Sequence, residues 1–93
     1  MKFDWDSEKN KSNNRKHGID FREAKTVFQD IRAIEIYDEE HSINEDRYII
    51  IGMSRKDREV MVCHCYRNGG NVIRIFSARK ATVSEKELYE RGR

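Results

Sequence analysis

The residues best suited to binding or catalysis are cationic, and they are spread along the whole chain. Arg74 stands inside an otherwise apolar stretch, Val72–Ile73–Arg74–Ile75–Phe76, where a core side chain would be expected. A cation in such a place loses hydration, so it needs an anionic partner or a ligand. Arg74 belongs to a set of cationic residues whose other members are Lys9, Lys11, Lys16, Arg47, Arg79 and Lys80, accompanied by His17 and His64. This set predicts a surface that binds a polyanion, because arginine stays charged and matches phosphate oxygens bidentately.

These residue types are sufficient for RNA cleavage without a metal ion. A base takes the proton from the ribose 2′-OH, cations stabilise the phosphorane, and an acid protonates the leaving 5′-oxygen. Histidine suits acid–base work near neutral pH, and Lys or Arg supplies charge stabilisation. A structural role fits the same residues: Arg74 could pair with Glu59 or Glu45 across a sheet, and Arg79 could lie in a solvated turn with Lys80. The residues alone leave both interpretations open.

Other site chemistries are disfavoured by the residues present, so we expect neither a metal nor a cofactor. Cys63–His64–Cys65 resembles a ligand cluster, but strand alternation sends His64 to the face opposite both cysteines. Structural zinc sites need four ligands, and no second cysteine pair exists. The same geometry argues against a Cys–His nucleophilic pair. Gly69–Gly70 fits a hairpin turn and not a phosphate-binding loop before a helix.

The first third of the chain predicts an extended segment and two helices. Phe3 to Asp6 alternates apolar and acidic residues and reads as a short strand or arm. Asp6 is suited to cap a helix over Ser7 to Lys16, which Gly18 would end. Asp20 begins a second helix that is expected to end at Gln29–Asp30, with an apolar stripe expected in the core, formed by Phe21, Ala24, Phe28 and Ile31.

The rest of the chain predicts four strands and a final helix. The strands are expected at 33–37, 47–53 and 59–66 and from Val72 onward, and a Thr82-x-x-Glu85 capping box starts a helix with Leu88 and Tyr89 on its buried side. We therefore predict one α+β domain spanning residues 1–93. It has a four-stranded antiparallel meander sheet, two N-terminal helices and a C-terminal helix, packed mainly on one face of the sheet.

Composition limits the setting of the protein. No apolar run approaches the roughly 18 residues of a membrane span, and the N-terminus lacks the apolar region of a secretion signal. Cys63 and Cys65 are too close for an ordinary disulfide, so we expect a reducing, cytoplasmic setting. The acidic segment Asp38–Asp46 contains no cation and is typical of a solvated loop, with His41 exposed in it.

Three blocks of the sequence resemble the signature blocks of the BrnT toxin family. They are Lys16–His17–Gly18–Ile19–x–Phe21–x–Glu23–Ala24, Glu45–x–Arg47, and Arg74–Ile75–Phe76–Ser77–Ala78–Arg79–Lys80–Ala81. Phe3–Asp4–Trp5–Asp6 with Lys9–Asn10 is similar to the usual N-terminal block. Two departures are small: Phe76 stands where the family often has Ile, and Lys80 where Arg is frequent.

This resemblance implies a toxin of a type II toxin–antitoxin system with a compact RelE-like ribonuclease fold. It further implies inhibition by a BrnA-like antitoxin that carries a ribbon-helix-helix domain, through which the complex binds operator DNA and represses its own operon. The substrate would be RNA, and cleavage would inhibit translation and growth. The main alternative is a non-catalytic module that binds nucleic acid or the antitoxin and acts only in operon autoregulation.

The matched positions carried over as site residues are Lys16, His17, Arg47, Arg74 and Arg79, and His64 is added from the residues alone. We expect Arg74 and Arg79 to hold the scissile phosphate with Arg47 beside them. His17, or failing it Glu45 or His64, would transfer protons. On a regular strand Arg74 and Arg79 point to opposite faces, so this hypothesis requires a break near Ser77–Ala78.

Overall fold

The computed structural model describes residues 1–92, which form three α-helices and five β-strands. In chain order these elements are β1 (Lys2–Asp4), α1 (Ser7–His17), α2 (Phe21–Ala24), β2 (Ile34–Tyr37), β3 (Tyr48–Met53), β4 (Glu59–Arg67), β5 (Val72–Lys80) and α3 (Val83–Arg91). A 3₁₀ segment, Lys25–Gln29, directly continues α2. No helix within these residues has the length and apolar character needed to cross a membrane.

The sheet is five-stranded and mixed, so the predicted four-stranded antiparallel meander is present but is not the whole sheet. The strand order is β1-β5-β4-β3-β2, in which β2 to β5 form the expected antiparallel meander. The fifth strand is the N-terminal segment, because Phe3 pairs with Ile73 in a parallel ladder at the outer edge of β5. This pairing covers the first three residues of an otherwise open edge.

Helix α1 begins and ends as its sequence predicts and is fixed to the sheet by a buried amide. The Asp6 carboxylate accepts hydrogen bonds from the backbone N–H groups of Glu8 and Lys9, and Gly18 ends the helix at a φ of +71°. Asn13 donates to the Ala78 carbonyl at 2.8 Å and accepts from the Ala78 N–H at 3.1 Å. Its side chain therefore pairs with β5 beyond the end of β1 and holds α1 along that edge.

The second helical segment ends at Gln29–Asp30 as predicted, but only its first turn is α-helical. Asp20 caps α2 as expected, but the α-helix ends at Ala24 and the 3₁₀ segment ends at Gln29. Phe21 and Ala24 are fully buried in the core, whereas Ile31 is 97% exposed. The prediction that Ile31 belongs to the core is wrong because the chain leaves helical geometry at Asp30, before that position returns to the core side.

Helices cover both faces of the sheet, contrary to the prediction that they pack mainly on one. One core lies between α2, the 3₁₀ segment and the sheet, and it includes Ile50 and Ile75. A smaller core on the opposite face contains Ile51, Met61 and Tyr89 of α3. Leu88, predicted on the buried side of this helix, is 41% exposed, so Tyr89 alone of that pair is buried.

A β-bulge in β5 changes which side chains share a face. Cys63 pairs with Ser77 and His64 pairs with Ile75, so Phe76 is an extra residue in β5. Ile73, Ile75 and Ala78 are buried in the main core, at spacings of two and then three residues. Arg74 and Arg79 consequently lie on the same face. The strand does not break near Ser77–Ala78 as predicted; the bulge at Phe76 produces the change of face, and β5 continues to Lys80.

Candidate active site

A groove of about 580 Å³ runs over the sheet face that α3 covers only in part. We call it the basic groove. It brings together side chains from α1, the 38–47 loop and strands β3, β4 and β5. Its residues are Lys9, Asp38, Glu40, His41, Arg47, Ile49, Met61, Cys63, Phe76, Ser77 and Arg79.

Arg79 enters the basic groove from β5 with part of its guanidinium already bound. Two of its nitrogens donate to the two carboxylate oxygens of Glu85 at 2.8 and 3.0 Å, and one also donates to the Lys80 carbonyl. Glu85 in turn completes the capping box of α3 with Thr82. A guanidinium has five N–H donors, so two remain for a ligand. Arg79 therefore both anchors α3 and offers charge to the groove.

The Phe76 ring lies between two further cations. The guanidinium carbon of Arg47 is 3.9 Å from the ring centroid, and the Lys9 Nζ is 5.9 Å from it. Arg47 is also 3.8 Å from Glu45, which is too long for a hydrogen bond. The cation–π contact thus orients Arg47 and leaves its N–H donors available.

His41 and Asp38 form a hydrogen-bonded pair at the rim of the basic groove. The His41 Nδ1 is 2.8 Å from the Asp38 Oδ2. The Asp38 carboxylate is buried and also faces the Cys63 sulfur at 4.0 Å. Burial, together with the negative charge of Asp38, raises the pKa of the Cys63 thiol, so this thiol stays protonated and donates to the carboxylate.

The loop that carries this pair is closed by its own hydrogen bonds. Asp38 N–H donates to the Arg47 carbonyl at 2.9 Å, which pairs the two ends of the loop. The Ser42 hydroxyl donates to the Asp38 carbonyl and accepts from the Arg47 N–H. The acidic segment is exposed over most of its length, as predicted, and its closure also makes Asp38, Glu40 and His41 one wall of the groove.

Lys16 and His17 line a smaller pocket of about 200 Å³ that joins the basic groove. Lys9, Phe76 and Ser77 contribute to both cavities. The last turn of α1 thus extends the cationic surface beyond the basic groove. Within residues 1–92, the ring of His17 makes no hydrogen bond.

Arg74 lies on the same face but outside the lining of the basic groove. Its guanidinium donates to the Asp4 carboxylate at 2.6 Å, a partner that β1 brings next to it in register. The pairing with Glu59 or Glu45 considered from the sequence is therefore replaced by a bridge to Asp4. The bridge uses one N–H of the guanidinium and holds Arg74 beside β1, outside the groove.

His64 is not brought to the groove. It lies on the opposite sheet face, as strand alternation predicts, and its side chain is fully buried. Its Nδ1 is 3.0 Å from the Val62 carbonyl and its Nε2 is 2.9 Å from Glu35. Phe28 packs edge-on against the ring at 4.8 Å. The structure gives His64 a core environment, on the other side of the sheet from the basic groove.

Lys9, Phe76 and His41 are groove residues with potential chemical roles, but they were not among the site residues predicted from the sequence. Lys9 belonged to the cationic set, and its position seven residues before Lys16 places both on one helix face, which is a usable signal. Phe76 becomes part of the site through the bulge, whose trace in the sequence is the three-residue step from Ile75 to Ala78. The hydrogen bond between His41 and the buried Asp38 carboxylate forms only when the loop closes. Its only signal in the sequence is that the two residues are three positions apart.

Metal ligation has no geometric support in the part of the chain that the structure describes. No group of three or more His, Cys, Asp or Glu side chains within residues 1–92 is arranged to hold an ion. The chemistry available in the basic groove is therefore that of cations, a histidine–aspartate pair and an aromatic ring.

Comparison with known proteins gives the context of this site. The family described as "Ribonuclease toxin, BrnT, of type II toxin-antitoxin system" matches residues 5–85. The chain belongs to the BrnT toxin family. The matched range contains every residue of the basic groove, so the family relationship extends over the whole candidate site. The resemblance seen in the signature blocks is confirmed.

The fold is similar to that of a solved BrnT toxin. The crystal structure of the Brucella abortus ribonuclease toxin BrnT matches with a TM-score of 0.68 and 24% sequence identity, over 88% of this chain and 97% of that chain. At this identity the likeness concerns the fold. No curated protein matches the sequence. Since BrnT toxins belong to type II toxin–antitoxin systems, an antitoxin partner follows from membership.

Proposed function

We propose that this BrnT-family chain is a metal-independent endoribonuclease that cleaves RNA by attack of the ribose 2′-OH on the adjacent phosphate. The observation that carries the proposal is the convergence of Lys9, Arg47 and Arg79, from three separate parts of the chain, on one groove. Cations gathered around a single cavity fit a scissile phosphate whose negative charge increases in the transition state.

The hydrogen-bonding state of these cations supports phosphate binding. Arg47 is held by a ring and Arg79 by one bidentate carboxylate, so both retain donors. Arg74 would join the phosphate contacts by exchanging Asp4 for a phosphate oxygen, and Lys16 would contact the strand beyond the groove.

Proton transfer requires a histidine or carboxylate close to these cations. Of the residues predicted from the sequence, His17 lies in the adjoining pocket, and Glu45 lies beside Arg47. His64 is buried on the other face and would need a large rearrangement to reach RNA. We therefore omit His64 from the proposed machinery.

The biological part of the proposal is neutralisation by a BrnA-like antitoxin with a ribbon-helix-helix domain. The complex would bind operator DNA through that domain, and free toxin would inhibit translation in the cytoplasm. Membership in a type II toxin family supports this, since such toxins are paired with antitoxins.

Cleavage of RNA by the purified chain in EDTA tests the reaction directly. We expect products with 2′,3′-cyclic phosphate and 5′-hydroxyl ends, because the 2′-oxygen becomes bonded to phosphorus as the 5′-oxygen leaves. An RNA that is 2′-deoxy at the scissile nucleotide should bind but remain intact. Binding of ordinary RNA without any turnover would instead favour the non-catalytic module that acts in autoregulation.

Substitutions locate the activity in the basic groove. Arg79→Ala should lower the cleavage rate by about 10²-fold, the usual effect of removing one transition-state donor. Lys9→Gln should weaken binding and reduce the salt dependence by about one phosphate contact. Lys11→Gln is a matched control on the same helix, since Lys11 is exposed and pairs with Glu8. Folded Arg79→Ala and Arg74→Ala proteins that cleave at the wild-type rate would contradict the proposal.

A further inference from the structure

The 38–47 loop places a histidine in the basic groove whose two ring nitrogens have different environments. Nδ1 of His41 faces the Asp38 carboxylate at 2.8 Å. A carboxylate only accepts hydrogen bonds, so Nδ1 carries a hydrogen and donates it. The hydrogen-bond partner thereby sets the tautomer, and Nε2 is left with a lone pair when the ring is neutral.

His41 is exposed and its partner Asp38 is buried, which is an arrangement that suits proton transfer. The side chain of His41 is 59% exposed and that of Asp38 only 9%. The buried carboxylate is held by the Cys63 thiol and by closure of its own loop through Ser42. The fixed group is therefore the orienting one, and the accessible group is the one that can meet a substrate.

The surroundings of His41 include both signs of charge. The charged or titratable groups lining the same cavity are Lys9 of α1, Asp38 and Glu40 of the loop, Arg47 beside β3, Cys63 of β4 and Arg79 of β5. The cations can hold a phosphate, while Asp38 offsets the positive charge that His41 acquires on taking a proton. His17 lacks such an orienting partner among residues 1–92.

We propose that His41 is the proton-transfer group of the basic groove and that Asp38 positions it, an inference that rests on the ribonuclease function proposed above. Nε2 of His41 takes the proton of the ribose 2′-OH. The bond from the 2′-oxygen to phosphorus forms, and the bond from phosphorus to the 5′-oxygen breaks. The 5′-oxygen leaves as an alcohol with a proton from water, and the imidazolium returns its proton to the hydroxide so formed.

The decisive experiment is the pH dependence of kcat/KM for a short RNA in EDTA, from about pH 5 to about pH 9. His41→Gln should lower the rate by about 10²-fold or more and abolish the acidic limb that we expect for the wild-type protein. Asp38→Asn can donate to Nδ1 and so favours the wrong tautomer, which should lower the rate at least about tenfold and displace the acidic limb. Glu39→Gln removes an exposed charge from the same loop outside the groove and should stay within about twofold.

Two further measurements separate proton transfer from a structural role. His41→Gln and Asp38→Asn should bind a 2′-deoxy-substituted RNA with Kd within about threefold of the wild type, since neither change removes a phosphate-binding cation. Free imidazole should restore cleavage to His41→Gly and leave Glu39→Gln unchanged. A His41→Gln protein with the wild-type rate and pH profile would overturn this assignment and leave the ribonuclease function standing. A wild-type protein without RNA turnover would overturn both.

Discussion

The phenyl ring of Phe76 lies under the Arg47 guanidinium, 3.9 Å from its central carbon, and 5.9 Å from the Lys9 Nζ. This contact differs from those of the two arginines in β5, where carboxylates take some of the donors. Arg74 donates to Asp4, and Arg79 donates twice to Glu85. A ring orients a cation through its electron-rich face and uses none of its N–H groups. Arg47 is for that reason the arginine of the groove best prepared to receive a phosphate.

Replacing the ring tests this orientation at the residue scale. Phe76→Leu removes the cation–π contact, worth about 0.5 to 1 kcal/mol at a partly exposed site, and should weaken RNA binding about two- to fivefold. Phe76→Tyr keeps a ring and should bind nearly as the wild type does. Fluorescence anisotropy with a labelled 2′-deoxy-substituted RNA measures both. Equal affinity in Phe76→Leu and Phe76→Tyr would show that the ring does not orient Arg47.

At the scale of elements, the position of the site depends on how α1 meets β5. β1 pairs only with Val72 to Arg74, so the backbone of β5 beyond that point has an open edge. The Asn13 amide fills this edge by bonding both the N–H and the carbonyl of Ala78, and it also donates to the Ile19 carbonyl. Because Lys9 and Lys16 are on the same helix, this one side chain sets their distance from Phe76.

Removal of the Asn13 amide should therefore cost considerable stability. Asn13→Ala leaves two buried backbone groups of Ala78 without their partner, at about 1 to 3 kcal/mol for each unsatisfied group, so we expect a loss of about 2 to 4 kcal/mol. Urea denaturation measures the free energy of unfolding. The neighbouring change Asn14→Ala, at an exposed position of the same helix, should cost less than about 0.5 kcal/mol. Similar losses in the two variants would contradict this role of Asn13.

Local signals predicted most of the elements, and long-range contacts account for the differences. The Asp6 cap, the Gly18 stop and the Thr82–Glu85 capping box depend on residues within one turn, and all are present. The parallel pairing of β1 joins Phe3 to Ile73, a contact between distant parts of the chain that no local pattern carries. Ile31 was expected in the core from its helical spacing and is exposed, because the helical segment ends at Gln29 and the spacing continues across a change of backbone geometry.

The residues of the candidate site divide in the same way, into those predicted from local blocks of sequence and those that depend on long-range contacts. Arg47, Arg79, Lys16 and His17 were predicted from matched blocks, and the structure brings them to two joined cavities. His41 was interpreted as an exposed loop residue, and its exposure is correct. Its orientation comes from Asp38, whose carboxylate is buried against Cys63 of a separate strand. Such a contact is created only when the loop packs on the sheet.

At the scale of the whole molecule, ionised carboxylates stabilise the N-terminal end of each helix. Hydrogen bonds from the backbone of Lys9 and Glu8 lower the pKa of Asp6, and the Arg22 guanidinium lowers the pKa of Asp20 to about 2. Burial alone would raise the pKa of Glu85, but its hydrogen bonds, the largest from Arg79, outweigh burial and lower it. Each helix therefore begins with a carboxylate that prefers to stay charged in the folded protein.

The same balance holds for two carboxylates that join elements. Burial would raise the pKa of Glu23, but hydrogen bonds from Arg58 and Ser54 together lower it. Burial also opposes ionisation of Asp30, whose pKa is lowered by bonds from the Met53 backbone and the Tyr89 hydroxyl. Ionised carboxylates thus link α2 to the turn after β3, and α3 to the end of the 3₁₀ segment.

Acid should consequently unfold the protein through these carboxylates together. Their pKa values are lower in the folded state, so the unfolded chain binds more protons and the free energy of unfolding increases with pH over this range. We expect stability to be constant near neutral pH, to decline below about pH 5, and to continue declining towards pH 2, where Asp20 titrates in the folded state. Thermal unfolding followed by circular dichroism at each pH measures the decline.

Asp20→Asn isolates one contribution to this decline. Asn also caps helices well, so the change should cost less than about 1 kcal/mol at neutral pH. Because the substituted amide cannot titrate, the gap between variant and wild type should close as the pH approaches 2, where the wild-type carboxylate takes up its proton. Asp57→Asn, in an exposed turn that caps no helix, serves as the control and should follow the wild-type curve. A gap between Asp20→Asn and the wild type that is equally wide at both ends of the range would show that Asp20 does not stabilise the fold through its charge.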